Sequence, residues 1–283
     1  MFATFAFAAA AQVKKPQAKA PPPVSVPASP WVQEKELQMR LISATAGVGK
    51  DTELLLALQV RLEPGWKFYW RTPGDAGIPP RFDWSESKNI EGIDVRWPRP
   101  ERAMEGNLET FVYHDEVILP VAAVPERAGR PVEARLKLAY GVCREICIPY
   151  EHEMALPIGA GPATPTPFAD LIRRATAGVP SAPDDVGVTL DGLKLVGAGP
   201  SLAVEVRLTG TNPFERPDLI VEGPEVFGFG KAQRLPGPGP ADLVFRVPVR
   251  AQGAAPEALA GAPLTLTLLD GPLAVEISGF VAR

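Results

Sequence analysis

From residue 34 onward the chain alternates apolar and polar positions with a period of two. Leu37, Met39 and Leu41 alternate with Glu36, Gln38 and Arg40; Leu54, Leu56, Leu58, Val60 and Leu62 alternate with Leu55, Ala57, Gln59 and Arg61. Successive side chains of a strand point to opposite faces, so this pattern predicts strands with one buried face. Residues 132–140 read the same way, with Val132, Ala134, Leu136, Leu138 and Tyr140 facing in and Glu133, Arg135 and Lys137 facing out. An aromatic strand is predicted over 66–71, and shorter ones at 81–84, 93–97, 117–124 and 151–157. The second half repeats the pattern at Leu202–Leu208, Leu243–Val249 and Leu264–Leu268, with further strands predicted at 186–196, 218–222 and 273–281. One segment has helical spacing. Phe168, Leu171, Ile172 and Ala175 form an apolar stripe, Thr166 is placed to cap it, Pro167 suits a first turn, and Gly178 and Pro180 end it.

Many short strands with one brief helix predict an all-β chain of two tandem β-sandwich domains joined by a short linker helix. The sharpest change of composition, Gly-Ala-Gly-Pro-Ala-Thr-Pro-Thr-Pro at 159–167, sets the boundary. The expected layout is a signal-like segment and Pro-rich linker at 1–30, a first sandwich at 31–160, a linker and helix at 161–180, and a second sandwich at 181–283. Residues 2–11 form an apolar run ending in Ala9-Ala10-Ala11, too short to cross a bilayer but fitting a secretory signal. Its basic n-region is missing, so the true start is expected upstream or trimmed. Residues 13–30, with Pro21-Pro22-Pro23, read as a polyproline-prone disordered linker. No later segment is apolar enough to span a membrane, so the mature protein is expected to be exported and soluble.

Composition narrows the chemistry. The 283 residues carry 33 Pro and 26 Gly, which punctuate short strands, and a net charge of −4 with no basic patch, which argues against a nucleic-acid partner. Gly47-Val48-Gly49-Lys50-Asp51 has the wrong spacing for a phosphate-binding loop and no helix follows it, so no nucleotide site is expected. The second half has neither Cys nor His and reads as a structural or docking domain. The two cysteines of the chain, Cys143 and Cys147, stand four apart in Tyr-Gly-Val-Cys-Arg-Glu-Ile-Cys-Ile-Pro at 140–149. A disulfide usually holds its Cα atoms about 4.4–6.8 Å apart, whereas four extended residues span about 13 Å. The two can bridge only if Arg144-Glu145-Ile146 forms a helical turn or a hairpin tip, which Gly141 and Pro149 favour. So small a ring gains little from loop closure, which makes a structural staple a weak explanation and an exchangeable disulfide a better one. Arg144 favours a thiolate and Glu145 opposes it, leaving the nucleophile open on charge alone. Two alternatives remain: a non-catalytic chaperone or scaffold with a structural disulfide, and a copper- or zinc-handling protein using Cys143, Cys147 and His152, with His114 further off.

Three blocks carry a resemblance: Gly65-Trp66-Lys67-Phe68-Tyr69-Trp70-Arg71-Thr72-Pro73-Gly74-Asp75-Ala76-Gly77, Val112-Tyr113-His114-Asp115-Glu116-Val117-Ile118-Leu119-Pro120, and the Cys block at 140–149. Together, in this order, they resemble the periplasmic N-terminal domain of the DsbD and ScsB-like thiol:disulfide interchange proteins. The likeness is strongest over 65–149 and weaker beyond about residue 160. It implies an immunoglobulin-like sandwich with the Cys pair at one end, a thiol-disulfide oxidoreductase role without cofactor, and a periplasmic location. It implies as partners a membrane-embedded reductant of the DsbD or CcdA type and periplasmic thioredoxin-fold proteins. By position, Cys147 would form mixed disulfides and Cys143 would resolve them. The 66–70 stretch and the 72–77 loop would shield the pair, which makes Phe68, Tyr69, Trp70, Asp75, Tyr140, Arg144, Glu145 and Pro149 its shielding or flanking residues. The Cys spacing is narrower than in the best-known members. The chain also lacks the family's transmembrane part and C-terminal thioredoxin domain, so the reductant is expected on another polypeptide, or the chain is a piece of a longer one.

Overall fold

The computed structural model describes residues 27–50 and 53–282. The signal-like run at 2–11 and the linker up to residue 26 lie outside the described residues. The linker's last residues do not hang free: Pro27 accepts a backbone bond from Ser43, and the Ser29 hydroxyl accepts one from Leu41.

The first half forms eleven strands: β1 Val32–Gln33, β2 Leu37–Ser43, β3 Leu54–Leu62, β4 Lys67–Gly74, β5 Arg81–Asp83, β6 Gly92–Val95, β7 Glu101–Glu105, β8 Leu108–Tyr113, β9 Glu116–Val124, β10 Val132–Cys143 and β11 Cys147–Ile158. They build two facing sheets, one in the order β1-β2-β3-β9-β6 and the other β11-β10-β4-β8-β7, with β5 also paired to β10. The positions predicted to face in do so: Leu37, Met39, Leu41, Leu54, Leu56, Leu58, Val60 and the even-numbered residues of β10 are buried in one core. Burying each such side chain contributes about 1.5–3 kcal/mol, which outweighs the modest strand propensities.

Some sequence expectations needed correction. The hairpin of β7 and β8 was not predicted, because Glu101, Arg102, Glu105 and Glu109 interrupt its alternation; Gly106, at φ 62°, makes its turn. The segment 72–74 belongs to β4 rather than to a loop. Its pairing with β8 shifts register between Tyr69 and Gly74, where Pro73 has no N–H to offer.

The helix α1 spans Ala169–Thr176, two residues later than its predicted start, with Phe168 at the N-cap. The Thr166 hydroxyl instead bridges strand and helix, donating to Ser43 O at 2.6 Å and accepting from Phe168 N at 3.1 Å. Ile172 packs on Ile42, Ala57 and Ile118, the outer face of the β2-β3-β9 sheet. That contact explains why those outward positions are apolar. A short second helix, α2 Pro183–Val186, takes the start of the predicted 186–196 strand.

The second half adds β12 Val188–Val196, β13 Ala203–Gly210, β14 Asp218–Glu222, β15 Phe227–Phe229, β16 Gln233–Leu235, β17 Asp242–Ala251, β18 Pro263–Asp270 and β19 Leu273–Phe280. One sheet runs β12-β13-β17-β15 with β16 on β17, and the other runs β14-β18-β19. The short β15 and β16 were not predicted. Three residues of the β14-β18-β19 sheet, Ile220, Leu269 and Ala274, join the core cluster of the first sandwich. Around this apolar contact lie Arg102–Asp218 at 2.9 Å and Arg71–Glu222 at 2.6 Å. Both sandwiches are all-β, and among the described residues no helix is long and apolar enough to cross a membrane.

Truncating a fully buried side chain in either core, as in Leu58→Ala or Leu266→Ala, should lower stability by about 2–5 kcal/mol, read as a drop in the urea midpoint. An unchanged midpoint for either variant would contradict the packing described.

Candidate functional site: a disulfide at a hairpin tip

The site follows from the register of one hairpin. β10 and β11 pair through twelve consecutive positions, from Val132 opposite Ile158 to Cys143 opposite Cys147. Arg144-Glu145-Ile146 forms the tip, closed by the Arg144 N–H donating to Ile146 O at 3.1 Å. The two cysteines are thus a directly opposed cross-strand pair with Cα atoms 4.1 Å apart, and they are disulfide-bonded. Of the two local geometries the spacing allowed, the hairpin tip is the one formed.

Parity then decides what surrounds the sulfurs. The even residues of β10 face the core, so Cys143 faces the outer side of its sheet. On the neighbouring strand β4 the same alternation sends Phe68 and Trp70 inward and Tyr69 outward. On β8, Val112 faces out between Phe111 and Tyr113. Cys143, Tyr69 and Val112 form a small apolar cluster of their own on that outer face, with Ala103 against it. The Cys143 side is therefore closed, at 3% exposure, while Cys147 is exposed. The Tyr69 hydroxyl lies 3.9 Å from Cys147 Sγ. Ile146, at the tip, is 68% exposed and stands beside the open sulfur in the chain.

A loop lies over this cluster. Gly77, at φ 113°, rests on the Tyr69 ring so closely that a Cβ would come within 2.2 Å of Cε1. Only glycine suits that position, on both conformational and steric grounds. Ile78 then packs on Gly141, where a Cβ would meet its Cβ at 2.6 Å, and its carbonyl accepts the Gly141 N–H at 3.2 Å. Asp75 anchors the loop: its N–H donates to Glu109 O at 2.7 Å and its Oδ2 accepts from Glu109 N at 2.9 Å.

The flanking residues singled out in the sequence fall into three places. Tyr69, Arg144 and Glu145 gather at the disulfide end. Arg144 stacks over Trp66 at 5.4 Å, which ties the hairpin tip to the segment that leads into β4. Phe68, Trp70 and Tyr140 lie in the core, Phe68 against Tyr140 at 5.8 Å and Trp70 against Phe111 at 5.9 Å; they support the strands and do not touch the sulfurs. Pro149 is exposed on β11 opposite Gly141, and Asp75 sits at the border with the second sandwich. Sequence reasoning missed Val112, Ile78 and Ala103. Carried outward from Tyr140, the parity of β10 points to the face they occupy.

The histidines are engaged elsewhere. His152 Nε2 lies 3.0 Å from Glu34 and its Nδ1 3.3 Å from the Tyr140 hydroxyl; His114 pairs with Glu101. Tyr140 is held protonated above its ordinary range by burial and by the Glu34 charge. Tyr150 is pushed up to about 12 by its hydrogen bond to Glu36. Both phenols therefore stay neutral at physiological pH.

Residues 34–158 match the family described as thiol:disulfide interchange protein DsbD, N-terminal, and residues 178–283 match a domain of unknown function, DUF8393. Among solved structures, the chain is similar to the crystal structure of the N-terminal periplasmic domain of ScsB from Proteus mirabilis. The identity is 21% and the TM-score 0.71, over 92% of this chain and 100% of that one, a likeness of fold that spans both sandwiches. A marsupial T cell receptor matches at 12% identity over 89% of this chain and all of its own, but with a TM-score of 0.19 it carries no argument. No curated protein matches. The sandwich that bears Cys143 and Cys147 thus matches the N-terminal domain of the thiol:disulfide interchange protein DsbD over residues 34–158, and the whole chain shares the fold of the ScsB N-terminal periplasmic domain.

Proposed function

We propose that this protein relays electrons between a membrane-embedded reductant and thioredoxin-fold thiol proteins of the periplasm, by exchange at Cys143 and Cys147. The observation that carries this reading is the asymmetry of the disulfide: one sulfur open at a hairpin tip, the other closed under Tyr69 and Val112. An incoming thiolate can reach Cys147 and not Cys143. The small ring supports the same reading, because it offers little loop-closure stability to explain the bond as a staple.

In the reductive half, a thiolate of a partner dithiol attacks Cys147 Sγ. A partner–Cys147 disulfide forms, the Cys143–Cys147 bond breaks, and Cys143 leaves as a thiolate that takes up a proton. The partner's second thiolate then attacks its own first sulfur and releases Cys147. The partner ends as a disulfide and the pair as a dithiol, two electrons richer. In the oxidative half the Cys147 thiolate attacks a disulfide of the next protein, and Cys143 resolves the mixed disulfide. Cys147 is thus the exchanging sulfur and Cys143 the resolving one, and no cofactor takes part. Export to the periplasm is supported by the signal-like run at 2–11 and by the family. The layout we propose is a redox sandwich over 31–160, a linker and helix at 161–180, and a second sandwich at 181–283.

Two measurements test this. In the oxidised protein, a reduction potential above about −300 mV is expected; a value below it, typical of structural disulfides, would sink the exchange reading in favour of a scaffold. In trapping, Cys143→Ala should accumulate mixed disulfides with oxidised thioredoxin-fold partners, visible as thiol-sensitive adducts on non-reducing gels, and Cys147→Ala should not. The reverse pattern would exchange the roles of the two sulfurs.

A further inference from the structure

The second sandwich holds the chain segment that carries the cover of the disulfide. Glu222, the last residue of β14, accepts from Thr72 Oγ1 at 2.5 Å, from Arg71 Nη2 at 2.6 Å and from Arg71 Nε at 3.0 Å. Glu276 of β19 takes a further contact from Arg71. Arg250 of β17 pairs with Asp75 Oδ1, the oxygen that Glu109 N does not use. Burial opposes the Arg71 charge, but the bonds and charges of Glu222 and Glu276 outweigh it and raise its pKa, so this tie persists at any physiological pH. Both ends of the segment 71–75 are therefore fastened to the second sandwich. Two residues on, Gly77 lies against the Tyr69 ring, and the Tyr69 hydroxyl lies against Cys147. Arg250, Asp75, Gly77, Tyr69 and Cys147 form a path whose steps are direct contacts or a single short loop.

We propose that Arg250 and Glu222 are positioning residues of the exchange site: they hold the 71–75 segment so that the loop seats the Tyr69 hydroxyl against Cys147, which closes one side of that otherwise exposed sulfur to an approaching thiolate. This rests on the exchange reading above and gives the second sandwich a part in it. The physics suits a cover that must yield. Arg250 is 58% exposed at the side chain, so its pair with Asp75 is screened by water and salt and is worth little in isolation. Surface loops with few buried contacts are the segments that open at low free energy. The weak tie keeps the loop seated, and a docking partner can undo it. The Arg71–Glu222 tie, more deeply set, keeps the strand end in place while the loop moves.

The test uses the full chain with dithiothreitol as the attacking thiol, following reduction of Cys143–Cys147 by thiol counting in stopped flow, with circular dichroism to verify folding. Arg250→Ala should speed reduction by about two- to five-fold, the factor expected for loss of a partly exposed charge pair, and Glu222→Gln, which weakens the more deeply set tie to Arg71, should speed it at least as much. Arg250→Lys, which keeps the charge, should restore most of the wild-type rate. Raising NaCl to about 0.5 M should speed the wild type and leave Arg250→Ala unchanged. Arg99→Ala is the control, because Arg99 bonds Gly271 O across the same border without touching the loop; its rate should equal that of the wild type. Wild-type rates in both Arg250→Ala and Glu222→Gln, or an equal acceleration in Arg99→Ala, would overturn the proposal and leave the exchange reading standing. A reduction potential below about −300 mV would instead overturn the exchange reading, while these rates would still report whether the latch exists.

Discussion

Everything at the redox end depends on the uninterrupted pairing of β10 with β11. Twelve residue pairs in fixed register leave three residues for the tip and set Cys143 directly opposite Cys147. A slip of one residue would turn every side chain of one strand to the wrong face, exposing Leu136, Leu138 and Tyr140 and burying Lys137, so the core itself enforces the register. The disulfide is thus held by hydrophobic burial some distance away from it. The same register carries Gly141 to the place where Ile78 must approach the backbone, and any larger residue there would push the covering loop off.

The asymmetry between the sulfurs has an equally plain origin. Paired residues on neighbouring strands share a face, yet the two cysteines meet different surroundings because β10 has β4 as its other neighbour at this end, whereas β11 is an edge strand. Cys143 is covered by what β4 and β8 present, Tyr69 and Val112. Cys147 has the sheet on one side and solvent on the other. An edge strand is ordinarily a liability, since its open side invites pairing by other chains. Here that openness leaves one sulfur exposed, at the end of the strand beside the three-residue tip.

The second sandwich meets the first through a shared apolar core, Ile220, Leu269 and Ala274, ringed by arginine–carboxylate pairs. The burial supplies adhesion, while the charged pairs fix orientation, as is usual where partly exposed ions surround an apolar contact. Arg71 on β4, paired with Glu222 and Glu276, and Arg102 on β7, paired with Asp218, tie two strands of the first sandwich to residues more than a hundred positions away in the chain.

Much of this was legible in the residues alone. Period-two alternation located most strands, because a side chain's face depends only on its parity, and the spacing of Cys143 and Cys147 required a turn, because an extended chain could not bring them together. The parity of β10, followed past Tyr140, already turns Cys143 away from the core. The sequence could not determine which strands lie side by side. The β7–β8 hairpin, broken by charged residues, hid the strand that supplies Val112; of those residues Arg102 pairs with Asp218 of the second sandwich, a partner that local pattern cannot reveal. Nor could the residues tell that Phe68 and Trp70 serve the core while Tyr69 between them serves the disulfide, since that follows from where β4 sits beside β10. Local sequence determined most of the strands and the need for a turn if the two sulfurs were to meet. Tertiary packing alone decided which sulfur is open, what covers the other, and what holds the cover, because these depend on contacts between segments far apart along the chain.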